Sequence, residues 1–267
     1  MKIQRYTWPV VLGTAIAVAG LAGCNDSDKD KADGAGKTTA SQPAEKKADT
    51  DPFAKDTALE VAKKATKATK GASSLTMDLD LTSDGEHITG TISLDKDTRC
   101  AGKLTLGGQG GMEIRRTTDA VYILPDDAFL KTQTKDQPAD QAAATIALMK
   151  GRWLKTSVNS ADAKQMAKMC DLDELLAELD DPDESDNLKK AGYTDFNGSR
   201  VFELTSKEDD GGTGTVYIQA EGEPYILNFE KKGGKEPGKV VMSDFNKPVD
   251  VQAPPADQIL DPAALGG

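Results

Sequence analysis

Histidine occurs once in the 267 residues and cysteine three times. That scarcity excludes most site chemistry. A zinc centre is built from three or four Cys, His or carboxylate ligands, and a single His beside three cysteines does not supply one. Nucleophile–His pairs have only His87 to draw on, and His87 sits between Glu86 and Ile88 beside a turn, where it reads as a surface side chain. No G-x-S-x-G elbow is present, and the glycine cluster Gly107 to Gly111 lacks the Lys-Ser/Thr ending of a phosphate-binding loop. The expectation is a protein that is not an enzyme and that holds neither cofactor nor metal. Basic residues are also in deficit, 33 against 44 acidic ones, for a net charge of −11. A chain so charged repels a polyphosphate backbone, which argues against nucleic acid as a partner. The acidic stretch Asp180, Asp181, Asp183, Glu184 and Asp186 lacks the loop glycine and terminal glutamate of a calcium-binding EF-hand and reads as a solvated loop.

Long apolar runs are equally scarce. The first stands at the N-terminus, where Lys2 and Arg5 precede Trp8 to Leu21, interrupted only by Gly13, Thr14 and Gly20. A membrane-crossing helix needs roughly 20 apolar residues, and this run is shorter. A basic start, a short apolar stretch and small residues before a cut describe a secretory signal. The ending Leu21-Ala22-Gly23-Cys24 matches a bacterial lipobox, in which the chain is cut before the cysteine and the cysteine is acylated. The alternative is a plain signal peptide with an incidental cysteine. Residues 1–23 are therefore read as signal peptide and Cys24 as the lipidation site. Two acyl chains suffice for stable anchoring, where one is marginal. This places the mature protein on the extracytoplasmic face of the cell membrane.

From Asn25 to Pro52 there is no Val, Ile, Leu, Met, Phe, Trp or Tyr. Such a segment cannot bury enough apolar surface to offset its ordering entropy. Residues 24–52 are read as lipidated cysteine and tether, with a root-mean-square span of about 30 Å. With Cys24 committed to lipid, Cys100 and Cys170 remain as an even pair in an oxidising compartment, and a disulfide between them is expected. Two separately buried thiols are the alternative.

Residues 53–267 are read as one folded domain. Asp56 to Lys70 sets Ala58, Val61, Ala62, Ala65 and Ala68 on one side and charged residues on the other, an amphipathic helix stopped by Gly71. The period then changes to two. Leu75, Met77, Leu79 and Leu81 alternate with polar residues, and so do Ile88, Gly90, Ile92 and Leu94, then Cys100, Gly102, Leu104 and Leu106. Met112 and Ile114 follow, then Ala120 to Leu124, in an antiparallel meander. Pro138 opens a helix that Gly151 stops, and Trp153 to Val158 is a short strand. Ser160 caps a second helical region carrying Met166, Met169 and Cys170, and Asp171 with Glu174 starts a further turn with Leu172, Leu175, Leu176 and Leu179. Strands resume at Tyr193, with Asn197-Gly198 as a hairpin turn, and continue through Thr213 to Ala220, Tyr225 to Lys232 and Lys239 to Phe245. One-sided strands with helices between two strand groups predict an α+β fold, a strongly curved antiparallel sheet wrapped over helices.

The order of these elements carries a resemblance. The lipobox, the tether, Gly151-Arg152-Trp153-Leu154 after a central helix, Val216-Tyr217-Ile218 to Glu223-Pro224-Tyr225, and Ser243-Asp244-Phe245-Asn246-Lys247-Pro248-Val249 to Ala253-Pro254-Pro255 resemble actinobacterial lipoproteins of the LppX/LprG type. Those are akin to the LolA-like fold. The resemblance implies a half-barrel of antiparallel strands around helices, with a hydrophobic cavity that carries a lipid or lipoglycan across the cell envelope. Leu75, Met77, Leu79, Leu81, Ile88, Ile92, Leu94, Leu104, Leu106, Met112 and Ile114 would then line the cavity. Alternation alone leaves two uses for these residues, an open lining or an ordinary closed core. A closed core would suit a signalling or protein-interaction lipoprotein with an envelope protein as partner.

Overall fold

The computed structural model describes residues 51–261 except 84, 159–167, 178 and 180. The signal sequence, Cys24, nearly all of the tether, Ser160 and Met166 lie outside the described residues. Every described helix and strand belongs to the unit Pro52–Gly267.

The first helix, α1 (Ala58–Lys70), begins two residues later than the apolar spacing suggests, because Thr57 caps it. The Thr57 hydroxyl accepts from the Glu60 amide at 3.2 Å, and the Glu60 carboxylate accepts from the Thr57 amide at 2.7 Å. This reciprocal pair satisfies two donors that a helix end otherwise leaves open. It also holds the Glu60 carboxyl below its usual range.

The strands are β1 (Ser74–Ser83), β2 (Glu86–Asp95), β3 (Cys100–Leu106), β4 (Gly110–Arg116), β5 (Ala120–Pro125), β6 (Trp153–Ser157), β7 (Lys189–Phe196), β8 (Ser199–Lys207), β9 (Thr213–Gln219), β10 (Ile226–Lys232), β11 (Gly238–Ser243) and β12 (Ile259–Leu260). They form one sheet in the order β12-β6-β5-β4-β3-β2-β1-β11-β10-β9-β8-β7. Two meanders, β1 to β6 and β7 to β11, are thus joined through β1 and β11 at the middle of the sheet. Pairing is antiparallel throughout except for the two-residue β12, which runs parallel to β6. The Asn197-Gly198 turn has positive φ at both residues, 49° and 80°, as a tight hairpin turn requires.

Curvature has a local cause in β2 and β3. A Cβ on Gly90 would lie 2.2 Å from the Lys103 carbonyl oxygen, and one on Gly102 would lie 2.6 Å from that of Thr91. Glycine lets neighbouring strands approach and coil where any side chain would hold them apart.

Four helices accompany the sheet among the described residues. α2 (Asp127–Gln133) is not foreshadowed by the apolar pattern. Asp126 builds it, accepting from the Phe129 amide at 2.7 Å to cap the helix and from the Gly111 amide at 2.8 Å to fix it on β4. α3 (Ala139–Met149) has Pro138 immediately before it and buries none of its side chains. α4 (Leu172–Ala177) follows a single 3-10 turn at Lys168–Cys170, and its Glu174 amide donates to Asp171 at 3.0 Å.

α1 and α4 pack on the same face of the sheet, the inner face. α4 sends Leu172 and Leu176 onto Leu75, Ile92, Leu94, Ile114, Val121 and Met242. α1 sends Val61 and Ala65 onto Phe202, Leu204, Ile218 and Ile226, with Phe53 closing the cluster. Thr69 of α1 accepts the buried Ile226 amide at 3.0 Å, at the point where β10 bulges. On the outer face, Ala120, Tyr122 and Trp153 make a small third cluster, with the Arg115 guanidinium 4.5 Å from the centre of the Trp153 ring. Cys100 of β3 and Cys170 are bonded to each other, with Cα atoms 5.4 Å apart, and both are fully buried. The bridge pins the chain just before α4 to the inner face.

Candidate functional site

All the apolar residues picked out from alternation in β1 to β4 lie on the inner face, but in two different environments. Leu75, Ile92, Leu94 and Ile114 are at most 3% exposed and belong to the packed core under α4, with Met77 at its margin. Leu79, Leu81, Ile88, Leu104, Leu106 and Met112 are half-buried and stand outside the three packed clusters. Tightly packed and half-buried apolar residues therefore both occur on the inner face, at opposite ends of the same strands.

Register shows how far the open half extends. Leu79 pairs with Gly90, Gly90 with Leu104 and Leu104 with Met112. In the other direction Leu79 pairs with Val240, Val240 with Phe229 and Phe229 with Val216. One apolar row thus crosses seven strands, from β9 to β4, without a charged residue. The next row, Leu81, Ile88 and Leu106, runs beside it. Phe229 is 41% exposed, unusual for a large ring in the middle of a sheet. At Gly90 the row is filled from the next strand, since a Cβ there would lie 2.9 Å from the Leu104 side chain. Phe229 is not placed inward by alternation because the bulge between Ile226 and Asn228 shifts its phase; Val216 and Val240 lie in regular strands but were not singled out as lining in the sequence.

Apolar residues held half-open over this width do one thing well. They bury flexible hydrocarbon, which gains about 0.8 kcal/mol per methylene removed from water and asks for no hydrogen bond. Two methionines, Met77 and Met112, add surface that adapts to shape.

The row containing Leu81 ends on a polar pair. Gly238 pairs with Leu81 and Lys231 with Gly238, and the Lys231 ammonium lies 2.8 Å from Asp210, both side chains mostly buried. The Lys231 ammonium, then the Lys235 and Gly212 amides, hold the Asp210 carboxyl far below its usual range. A carboxylate whose pKa is lowered on folding stabilises the fold above its unfolded value and loses that contribution as pH falls towards the folded one. Asp210→Asn is therefore expected to lower stability at about pH 7, with the difference from the parent shrinking steadily as pH falls below about 4, the unfolded carboxylate value, measured by denaturant unfolding across pH.

The remaining residues picked out from the sequence lie away from this face. His87 is exposed, with Nε2 at 2.7 Å from Asp80. In the acidic stretch Asp181 pairs with Lys70 at 3.0 Å and Asp186 accepts from the Asp183 amide at 2.8 Å. The motif after β11 is structural. Asn246 accepts from Ser73 through its amide oxygen, 2.8 Å from the backbone nitrogen, and donates to the Tyr225 hydroxyl at 2.7 Å, locking the sheet's closing loop to the start of β1.

No known family matches the sequence, and no curated protein does. Solved structures are similar in backbone. The lipoprotein LppX of Mycobacterium tuberculosis is 16% identical over 73% of this chain and 98% of its own, with a TM-score of 0.45. LprF from Mycobacterium bovis is 12% identical over 74% of this chain and 96% of its own, with a TM-score of 0.49. MucB of Pseudomonas aeruginosa, in its complex with MucA, is 15% identical over 75% of this chain and 59% of its own, at a TM-score of 0.30. The architecture itself is the one the LppX/LprG-type resemblance implies, a curved, unclosed antiparallel sheet over helices.

Proposed function

We propose that this protein is a lipoprotein, anchored through Cys24 to the extracytoplasmic face of the cell membrane, that binds or carries an acyl lipid on the open half of its inner face. The observation that carries the reading is the uncharged apolar row from Val216 to Met112, in which Phe229, Leu79, Leu104 and Met112 stand partly exposed outside the packed clusters while Val216 and Val240 border them. The disulfide and α4 hold one end of the inner face closed, so hydrocarbon has one end to occupy. The tether, of about 30 Å root-mean-square span, lets the domain turn that face towards a membrane or a recipient.

All three packed clusters lie within Pro52–Gly267, so that unit has its own core and can be tested alone. Purified from a lipid-rich host, extracted and examined by mass spectrometry, it is expected to carry about one acyl lipid per chain. Repeated recovery without lipid, together with no uptake of a fluorescent fatty acid, refutes the reading. A second reading rests on α3, which buries none of its side chains and exposes 49% of Leu148. In it, α3 is the contact for an envelope protein. Cross-linking from position 148 in cells to a single protein band, with no lipid recovered, would favour it.

A further inference from the structure

The outer face carries a cavity that the acyl-binding reading does not use. It holds about 410 Å³, within the range of small-ligand pockets, roughly 300–1,000 Å³. It lies between the tip of the β7–β8 hairpin and the ends of β10 and β11. We propose that this cavity binds a neutral saccharide.

Three rings form its walls, and each is held in place. Phe196 is stacked on Tyr217 with ring centres 5.1 Å apart. Tyr225 and Phe245 are parallel, within 3° and 4.2 Å, and the Tyr225 hydroxyl is fixed by Asn246. Rigid rings bind at low entropic cost, and their apolar faces suit the C–H face of a pyranose. The polar part of the lining is neutral. Asn197, Ser199 and Ser243 offer an amide and two hydroxyls, while the charges of Asp244 and Lys247 are paired with each other at 2.6 Å. That combination fits a ligand with many hydroxyls and no charge; among the described residues of the lining, a phosphate or carboxylate would find no free cation.

A buried polar side chain stands behind the lining. Asn228 is fully buried, and neither its amide oxygen nor its amide nitrogen has a hydrogen-bond partner in the protein. It follows Leu227 and pairs with Val241, both of which line the cavity. A buried amide left without partners costs about 1–3 kcal/mol, a cost carried next to the cavity but behind its own lining. Leu227 and Val241 face away from the inner-face row; Met242 and Phe245 also touch the cluster under α4, but no residue of the Val216-to-Met112 row lines the cavity, so the saccharide site is separate from the acyl one.

The test uses the full chain in a non-glycosidic detergent and four trisaccharides, maltotriose, cellotriose, mannotriose and triacetylchitotriose, with binding read by saturation-transfer NMR and calorimetry. At least one is expected to bind with a dissociation constant of about 1 mM or tighter. Phe196→Ala should weaken it about tenfold, and Ser199→Trp, which fills the cavity from an exposed hairpin position, should abolish it with the circular dichroism unchanged. Leu81→Asp on the inner face should leave saccharide affinity as it is, whatever it does to acyl binding. No binding by any of the four at about 10 mM, binding untouched by both outer-face substitutions, or binding lost in Leu81→Asp would each overturn the proposal.

Discussion

Replacing Cys100 and Cys170 together by alanine is expected to lower the free energy of unfolding by about 4 kcal/mol, the chain-entropy value for a closed loop of this length. The two residues are 70 apart in sequence and fully buried. Their bond is also the covalent link between the sheet and the segment entering α4, whose Leu172 and Leu176 cover the closed end of the inner face. Loss of the bond should therefore loosen α4 before it loosens the sheet. Denaturant unfolding measures the first effect, and hydrogen exchange of the Leu172–Ala177 amides measures the second. Equal stability of the parent and the double variant under oxidising conditions would contradict this role for the bridge.

Gly90→Val is expected to cost about 3 kcal/mol or more. The added Cβ would meet backbone on the next strand, 2.2 Å from the Lys103 oxygen and 2.9 Å from the Leu104 Cα, and backbone does not swing aside as a side-chain tip does. Relief requires β2 and β3 to separate, which would flatten the sheet at the centre of the apolar row. Gly85 gives the comparison. It has positive φ, 80°, but open space around it, so Gly85→Ala should cost only about 1 kcal/mol. If thermal and denaturant unfolding give similar losses for the two, close strand approach at Gly90 is not what shapes the sheet.

The legible and illegible parts of this structure divide along physical lines. β1 to β3 could be read residue by residue, because each has one wet and one dry face and alternates without interruption. α2 could not, since seven residues give too little helical period and its start depends on the tertiary bond from Asp126 to Gly111. β7 begins at Lys189, four residues before the first large side chain, because its early positions are polar and exposed and carry no pattern. The two residues of β12 carry none either. The face proposed to bind acyl chains was half legible. Its β1 to β4 half follows from alternation, while Phe229 is displaced from the expected phase by the bulge at Ile226 and Asn228. Which of the alternating residues would pack and which would stay open was not readable at all, because that depends on where a six-residue helix, held by a disulfide, comes to rest.

The central claim is that hydrocarbon occupies the open end of the inner face. Paramagnetic broadening by a doxyl-labelled stearate, followed on the methyl signals of Pro52–Gly267, tests it most directly. Broadening is predicted for Leu79, Leu81, Ile88, Leu104, Leu106 and Met112, with Leu75, Leu94 and Ile114 beneath α4 unaffected. Broadening confined to outer-face methyls such as Leu227 and Val241, or none at saturating stearate, would contradict it.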